Sequence, residues 1–124
     1  MNPLFSSLFE QQSDSPDAGL FLILTSAPET ASTSLAHRLI AEKLAACVSK
    51  LPKVQSIYYW EGKVVKDEEV LMYIKTSSSS LSRCLDRLHE LHPYDVPEIL
   101  VFRPDIASSS YVSWVHDVTQ QEET

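Results

Sequence analysis

The pattern of hydrophobic and polar positions is clearest between residues 54 and 76, where two extended runs flank Glu61 and Gly62. Glycine accepts the positive φ of a tight two-residue turn, so this stretch predicts one long β-hairpin. Side chains alternate across a strand, and both faces of the hairpin carry large apolar groups. A sheet with one solvated face would alternate apolar and polar residues instead. We therefore expect both faces of the hairpin to be covered.

Shorter patterns flank the hairpin. Residues 19–25 form a continuous apolar run typical of a buried strand, and apolar residues at helical spacing predict a helix over 28–46. A second helix follows the serines at 77–80 and ends near Leu91. Residues 99–103 predict a further strand, and serines at 108–110 cap a short final helix. The buried stripes are expected to be Ala31, Leu35, Leu39, Ile40 and Leu44 in the first helix and Tyr111, Trp114, Val115 and Val118 in the last.

This order of elements, βαββαβ followed by a short helix, predicts a ferredoxin-like α/β sandwich. Both main helices then cover one face of the sheet, and the other face of the hairpin is left bare. Exposed apolar area of this kind usually marks an assembly surface, so we expect a homo-oligomer. A chain of 124 residues supports one core. The expected division is a flexible N-terminal extension at 1–18, a folded domain at 19–118 and a polar tail at 119–124.

Charge and composition exclude several classes of partner. The net charge is −7 and the basic residues are scattered, which excludes nucleic acid as an expected partner. No apolar run approaches the roughly 20 residues of a transmembrane helix, so no membrane association is expected. The first residues lack the basic start and cleavage pattern of a signal peptide, which makes a cytoplasmic location the default expectation.

The sequence offers no enzymatic motif. Neither HExxH nor a serine in a nucleophile-elbow context occurs, and two glycines in the whole chain exclude a glycine-rich phosphate loop. Cys47, expected to end the first helix, and Cys84, on the inner stripe of the second, are predicted to be small buried hydrophobes rather than nucleophiles. We predict that the protein is not an enzyme, and no organic cofactor is evident.

Four segments carry a resemblance to a known family. EKLAACVSKLPKVQSIYYWEGKV, EVLMYIKT, HPYDVPEILVF and YVSW resemble, in order and spacing, the CutA divalent-cation tolerance proteins, over about Leu20 to Val118. The resemblance implies a ferredoxin-like subunit in a tight homotrimer, with long hairpins contributing to the sheet edges between subunits. It also implies a role in tolerance to divalent metals, copper above all.

His92 and Glu98 bracket a loop stiffened by prolines, and imidazole and carboxylate are both ligands of copper or zinc. Some bacterial relatives carry a cysteine and a second histidine at positions that match Thr25 and Leu91. Without the thiolate, we expect lower affinity and a borderline divalent ion. The alternative is that His92 bonds to the backbone of its own turn while Glu98 caps or pairs across an interface.

A second functional hypothesis is a trimeric sensor that binds a small anionic ligand in clefts between subunits, and a third is a purely structural assembly partner. The acidic run at 67–69 is expected to be a solvated strand edge. Aromatic residues at these spacings also fit core or interface packing. The candidate cleft residues are Trp60, Lys63, Lys75, Tyr94, Tyr111 and Trp114.

Overall fold

The computed structural model describes residues 8–12 and 19–121. Its elements, in chain order, are β1 (Phe9–Gln11), β2 (Leu20–Ala27), α1 (Glu29–Ala41), β3 (Cys47–Trp60), β4 (Lys63–Ser77), α2 (Ser78–Leu91), β5 (Ile99–Phe102), β6 (Ile106–Ser108) and α3 (Ser109–Val118). Four strands form an antiparallel sheet in the order β3-β4-β2-β5, and β1 pairs with β6 in a separate two-stranded sheet. The predicted ferredoxin-like order with a final helix is confirmed.

The core lies between one face of the four-stranded sheet and the helices α1 and α2. Odd-numbered residues of β2 and even-numbered residues of β4 point to this face, as the register of the two strands requires. They pack against Leu35 and Leu39 of α1 and Cys84 and Leu88 of α2. The buried residues on this face of β2 and β4 are Phe21, Ile23, Thr25, Ala27, Val70, Met72, Ile74 and Thr76.

The hairpin is longer than the sequence suggested. Its turn has the predicted form, because Glu61 and Gly62 both have positive φ, 49° and 78°. Strand β3, however, begins at Cys47, so this cysteine starts a strand and does not end a helix. The pairing shifts by one residue between Leu51 and Val54, a β-bulge that accommodates Pro52, which cannot donate to the ladder.

Helix α1 ends earlier than predicted. Lys43 adopts a left-handed φ of 58°, its N–H donates to Ile40 O, and the N–H of Leu44 donates to Leu39 O at 2.9 Å. This is a Schellman ending built on a lysine instead of the usual glycine, and it tucks Leu44 into the core after the helix has stopped. Ile40, expected in the buried stripe, is exposed.

Helix α3 also differs from its predicted stripe. Val115 is buried, whereas Trp114 and Val118 are exposed and Tyr111 is half-buried. Thr119, just beyond the helix, contributes buried polar contacts, because its hydroxyl lies 2.7 Å from that of Ser77. The helix is thus fixed to the end of β4 by one apolar and one polar residue.

Part of the predicted N-terminal extension is bonded to the domain. Phe9–Gln11 pairs with β6, and the side-chain amide of Gln12 donates to Pro104 O at 2.6 Å while its oxygen accepts the N–H of Leu20 at 2.6 Å. A Cβ on Gly19 would lie 2.0 Å from that oxygen, so the contact requires glycine. The remaining residues of the extension, 1–7 and 13–18, and the tail from 122 lie outside the described residues.

The second face of the sheet is bare of α1 and α2, as expected. It is formed by even-numbered residues of β2 and β5 and odd-numbered residues of β4. Leu100 and Phe102 are about half-exposed there. Within the described part of the chain, no helix is long and apolar enough to cross a membrane. The apolar side chains of this face, called the open face below, are Leu22, Leu24, Leu71, Tyr73, Leu100 and Phe102.

Two fully buried threonines on the helix-covered face provide a test of this packing. Thr76 donates its hydroxyl to Leu44 O at 2.6 Å, whereas the hydroxyl of Thr25 has no hydrogen-bond partner. Valine has the same shape without the hydroxyl. We expect Thr25→Val to raise the free energy of unfolding by about 1 kcal/mol and Thr76→Val to lower it by a similar amount or more, since a buried carbonyl loses its donor. Urea unfolding at one fixed protein concentration measures both, and equal effects would contradict the assignment.

Candidate functional site

A groove of about 710 Å³ lies between the hairpin and the connection from α2 to β5. Prolines at 93 and 97 hold that connection in an extended course. The end of β2 contributes Ser26. The hairpin contributes Ser56, Ile57, Tyr58, Trp60, Asp67 and Glu69, and the connection contributes Pro93, Tyr94, Asp95, Val96 and Glu98.

The β-bulge decides which hairpin side chains reach the groove. After the shift at Leu51, even-numbered residues of β3 lie on the same face as odd-numbered residues of β4. Ser56, Tyr58 and Trp60 therefore lie on the same face of the hairpin as Glu69. Without the extra residue, the two aromatic rings would point to the opposite side of the hairpin.

Glu69 joins the two walls of the groove. One carboxylate oxygen accepts the hydroxyl of Ser56 at 2.6 Å, and the other accepts the hydroxyl of Tyr94 at 2.7 Å. The side chain is buried, with the residue 7% exposed, so the expectation of a solvated acidic edge was wrong at this position. Next to it, the hydroxyl of Tyr58 donates to Asp67.

The donors around these carboxylates are neutral. Burial and then the hydrogen bond to Glu69 raise the pKa of Tyr94, and the hydrogen bond to Asp67 raises the pKa of Tyr58. Both phenols therefore keep their protons at neutral pH and hold the carboxylates without cancelling their charge. Among the described residues that line the groove, four are carboxylates and none is lysine or arginine. The described lining of the groove is therefore acidic.

His92 lies beneath the groove, 8% exposed, with its ring centroid 5.0 Å from that of Tyr94. Its Nδ1 accepts the N–H of Tyr94 at 3.2 Å, which places the proton on Nε2, and Nε2 donates to Ser26 O at 2.9 Å. Burial lowers the pKa of His92, against the opposing effects of Ser26 and Glu69. Both ring nitrogens are thus occupied by backbone groups, as the alternative reading of this histidine expects.

The two predicted metal ligands, His92 and Glu98, therefore differ in their availability to an ion. Glu98 is exposed and lines the groove, but His92 has no free nitrogen to offer in this arrangement. Thr25, at the position where relatives carry a cysteine, points into the core. No three His, Cys, Asp or Glu side chains of residues 8–12 and 19–121 are grouped closely enough to hold a metal ion.

The predicted cleft residues fall into two groups. Trp60 and Tyr94 line the groove, and Lys63 stands opposite Trp60 at the hairpin tip. Lys75 lies near the other end of β4, about 40 Å away at about 3.3 Å per residue. A cleft that contains both lysines can form only between chains.

The second group surrounds the start of β3. The ammonium of Lys75 donates to Ser49 Oγ at 2.5 Å and lies 3.9 Å from Cys47 Sγ. Tyr111 stacks on Trp114 with ring centroids 5.8 Å apart, and burial followed by the nearby Cys47 thiol raises the pKa of Tyr111. Hydrogen-bond patterns of this kind carry no signal in the sequence, because they depend on the register of β3.

The occupied imidazole makes stability depend on pH. Since the folded pKa of His92 lies below the unfolded value of 6.5, the unfolded chain binds its proton first, and stability is lost as pH falls through that value. We expect His92→Asn to lower stability at a pH of about 7.5 and to flatten its decline towards a pH of about 5.5. Urea unfolding across this range measures the slope. His37→Asn, at an exposed position, is the control, and equal slopes in the two variants would contradict the assignment.

Comparison with known proteins agrees with the fold and the motifs. The family model described as CutA1 divalent ion tolerance protein matches residues 20–118. A divalent-cation tolerance protein CutA from Pectobacterium atrosepticum is 42% identical over 105 residues, covering 84% of this chain and 96% of that protein.

Solved structures give the same result. CutA from Synechococcus elongatus superimposes with a TM-score of 0.83 at 33% identity, covering 92% of this chain and 97% of that one. A PII-like protein CutA from Nostoc has a TM-score of 0.76 at 34% identity, covering 81% and 97%. The chain belongs to the CutA1 divalent ion tolerance family.

Proposed function

We propose that this protein takes part in tolerance to divalent cations as a homotrimer that binds such ions weakly through carboxylate oxygens. The observation that carries the cation part is the groove, whose described lining includes four separate carboxylates and no basic side chain. The family to which the chain belongs is described by tolerance to divalent ions. The same charge argues against a small anionic ligand in this groove.

The donor set favours weak binding with little selectivity. Two of the four carboxylates accept side-chain hydrogen bonds, Asp67 from Tyr58 and Glu69 from Ser56 and Tyr94. Asp95 and Glu98 are therefore the lining carboxylates with the most oxygen atoms available to an ion. Using His92 as well would require breaking its two backbone hydrogen bonds, each worth about 1 kcal/mol. Cupric ion tops the affinity order for a given set of oxygen and nitrogen ligands, so it is expected to bind more tightly than Mn²⁺ or Zn²⁺.

Metal titration by calorimetry tests this assignment. We expect Glu98→Gln and Asp95→Asn each to weaken Mn²⁺ binding about tenfold, because affinity follows the number of charged ligands. Mn²⁺ prefers carboxylate oxygens to imidazole, so it reports on the groove without interference from exposed histidines. Cu²⁺ should follow the same order.

Glu68→Gln is the matched control, since Glu68 is exposed on the opposite face of β4 and does not line the groove. His92→Asn should leave Mn²⁺ affinity close to that of the unsubstituted chain. If His92→Asn abolished binding while Glu98→Gln had no effect, the ligand set proposed here would be wrong.

The assembly part of the proposal rests on uncovered apolar area. The open face of the sheet carries a row of leucines and aromatic residues, and on the other face of the hairpin Ile57, Tyr59 and Val64 are 66%, 72% and 70% exposed. Burying one such side chain is worth roughly 1.5–3 kcal/mol. Several of them in each chain amount to a large part of the roughly 5–15 kcal/mol by which a domain is stable. We propose that a second and a third copy of this chain bury these apolar side chains.

Coupled folding and assembly gives a measurable result. We expect a trimeric mass by light scattering at low micromolar concentration and a melting temperature that rises with protein concentration where unfolding is reversible. Tyr73→Glu on the open face and Ile57→Lys on the hairpin should leave little soluble trimer, because each places a charge in an apolar contact. Glu68→Ala should retain the trimer. A stable, folded monomer at micromolar concentration would refute the proposal.

A further inference from the structure

We infer that the groove also binds a primary alkylammonium ion, an inference that rests on the proposed binding of cations at the same place. The groove is much larger than a metal ion requires, since about 710 Å³ lies within the range of small-molecule pockets. A hydrated metal ion would leave most of the walls of the groove without a contact. An organic cation has both the charge and the apolar surface that these walls can contact.

The walls have the chemistry that such an ion needs. Tyr58, Trp60 and Tyr94 line the groove together with its carboxylates. Aromatic faces attract cations, and organic ammonium ions are often held between several rings. The hydroxyl hydrogens of Tyr58 and Tyr94 are already donated to Asp67 and Glu69. These two side chains therefore offer the groove aromatic surface and no free hydroxyl hydrogen, which favours a cation over an anion.

The two parts of the ligand, its ammonium group and its alkyl chain, would contact different residues of the groove. Asp95 and Glu98 line the groove from the connection and can accept N–H donors from the ammonium group, and Trp60 on the hairpin supplies apolar surface for its alkyl chain. Trp60 is 54% exposed, a large aromatic surface left open in a groove whose described lining also includes four carboxylates. A metal ion would depend on the carboxylates alone, whereas an alkylammonium ion would depend on the carboxylates and on Trp60.

The chain contains two tryptophans, Trp60 and Trp114, and they lie in different groups, so one substitution isolates the signal. In a Trp114→Phe background we expect n-butylammonium to change the fluorescence of Trp60 saturably, at constant ionic strength. Its uncharged counterpart, n-butanol, and the dianion succinate should give no saturable change at the same concentrations. Calorimetry on the unsubstituted chain gives the same comparison if the Trp114 variant does not fold.

Two variants separate the ligand classes. By calorimetry, Trp60→Leu should weaken n-butylammonium binding about fivefold more than it weakens Mn²⁺ binding, because the cation–π contact serves only the organic ion. Glu98→Gln should weaken both, and Trp114→Leu should weaken neither. Circular dichroism and light scattering verify that each variant keeps its fold and mass.

The outcomes distinguish this inference from the proposed function. If Mn²⁺ binds and n-butylammonium does not, or if n-butanol binds as tightly as n-butylammonium, the inference is overturned and the proposed function stands. If n-butylammonium binds in a Trp60-dependent manner and no divalent ion binds, the inference holds and the metal part of the proposed function fails. Equal losses of both ligands in Trp60→Leu would also overturn the inference.

Discussion

The alternation of side chains along a strand is the constraint on which the site depends. One extra residue in β3 changes which side chains of that strand face the groove. Between Leu51 and Val54 the register shifts, so the residues after the bulge lie on the opposite face from the one that unbroken pairing would give them. The bulge thereby places Tyr58 and Trp60 on the same face of the hairpin as Glu69 and leaves Tyr59 on the other face. The groove and the uncovered outer surface of the hairpin both follow from this local irregularity.

The buried carboxylate of Glu69 illustrates how charge is kept in the groove. A lysine or arginine partner would satisfy the carboxylate but neutralise it, whereas Ser56 and Tyr94 satisfy it with neutral hydroxyls. The bond to Tyr94 also fixes the connection against the hairpin, and the backbone N–H of the same tyrosine fixes the ring of His92. One residue of the connection thus links the acidic groove to the histidine beneath it.

Much of the fold could be predicted because it follows from periodicity. The turn at Glu61 and Gly62, the buried face of β4 and the order of helices and strands are consequences of residue type and spacing. Three features could not be predicted, since they oppose local preference. Lys43 takes a conformation that favours glycine, Pro52 lies within a strand, and Phe9–Gln11 is a short exposed strand that pairs with a segment far along the chain.

The outer strands of the sheet limit how further strands can add to its edges. Strand β5, at one edge, is four residues long, and β3, at the other, is interrupted by a proline and a bulge. Long, regular edges invite unlimited addition of further strands, and interruptions of this kind shorten the available row of backbone donors and acceptors. The free edge of β3 is therefore divided into two short stretches, one on each side of the bulge. Such an edge resists growth into fibres.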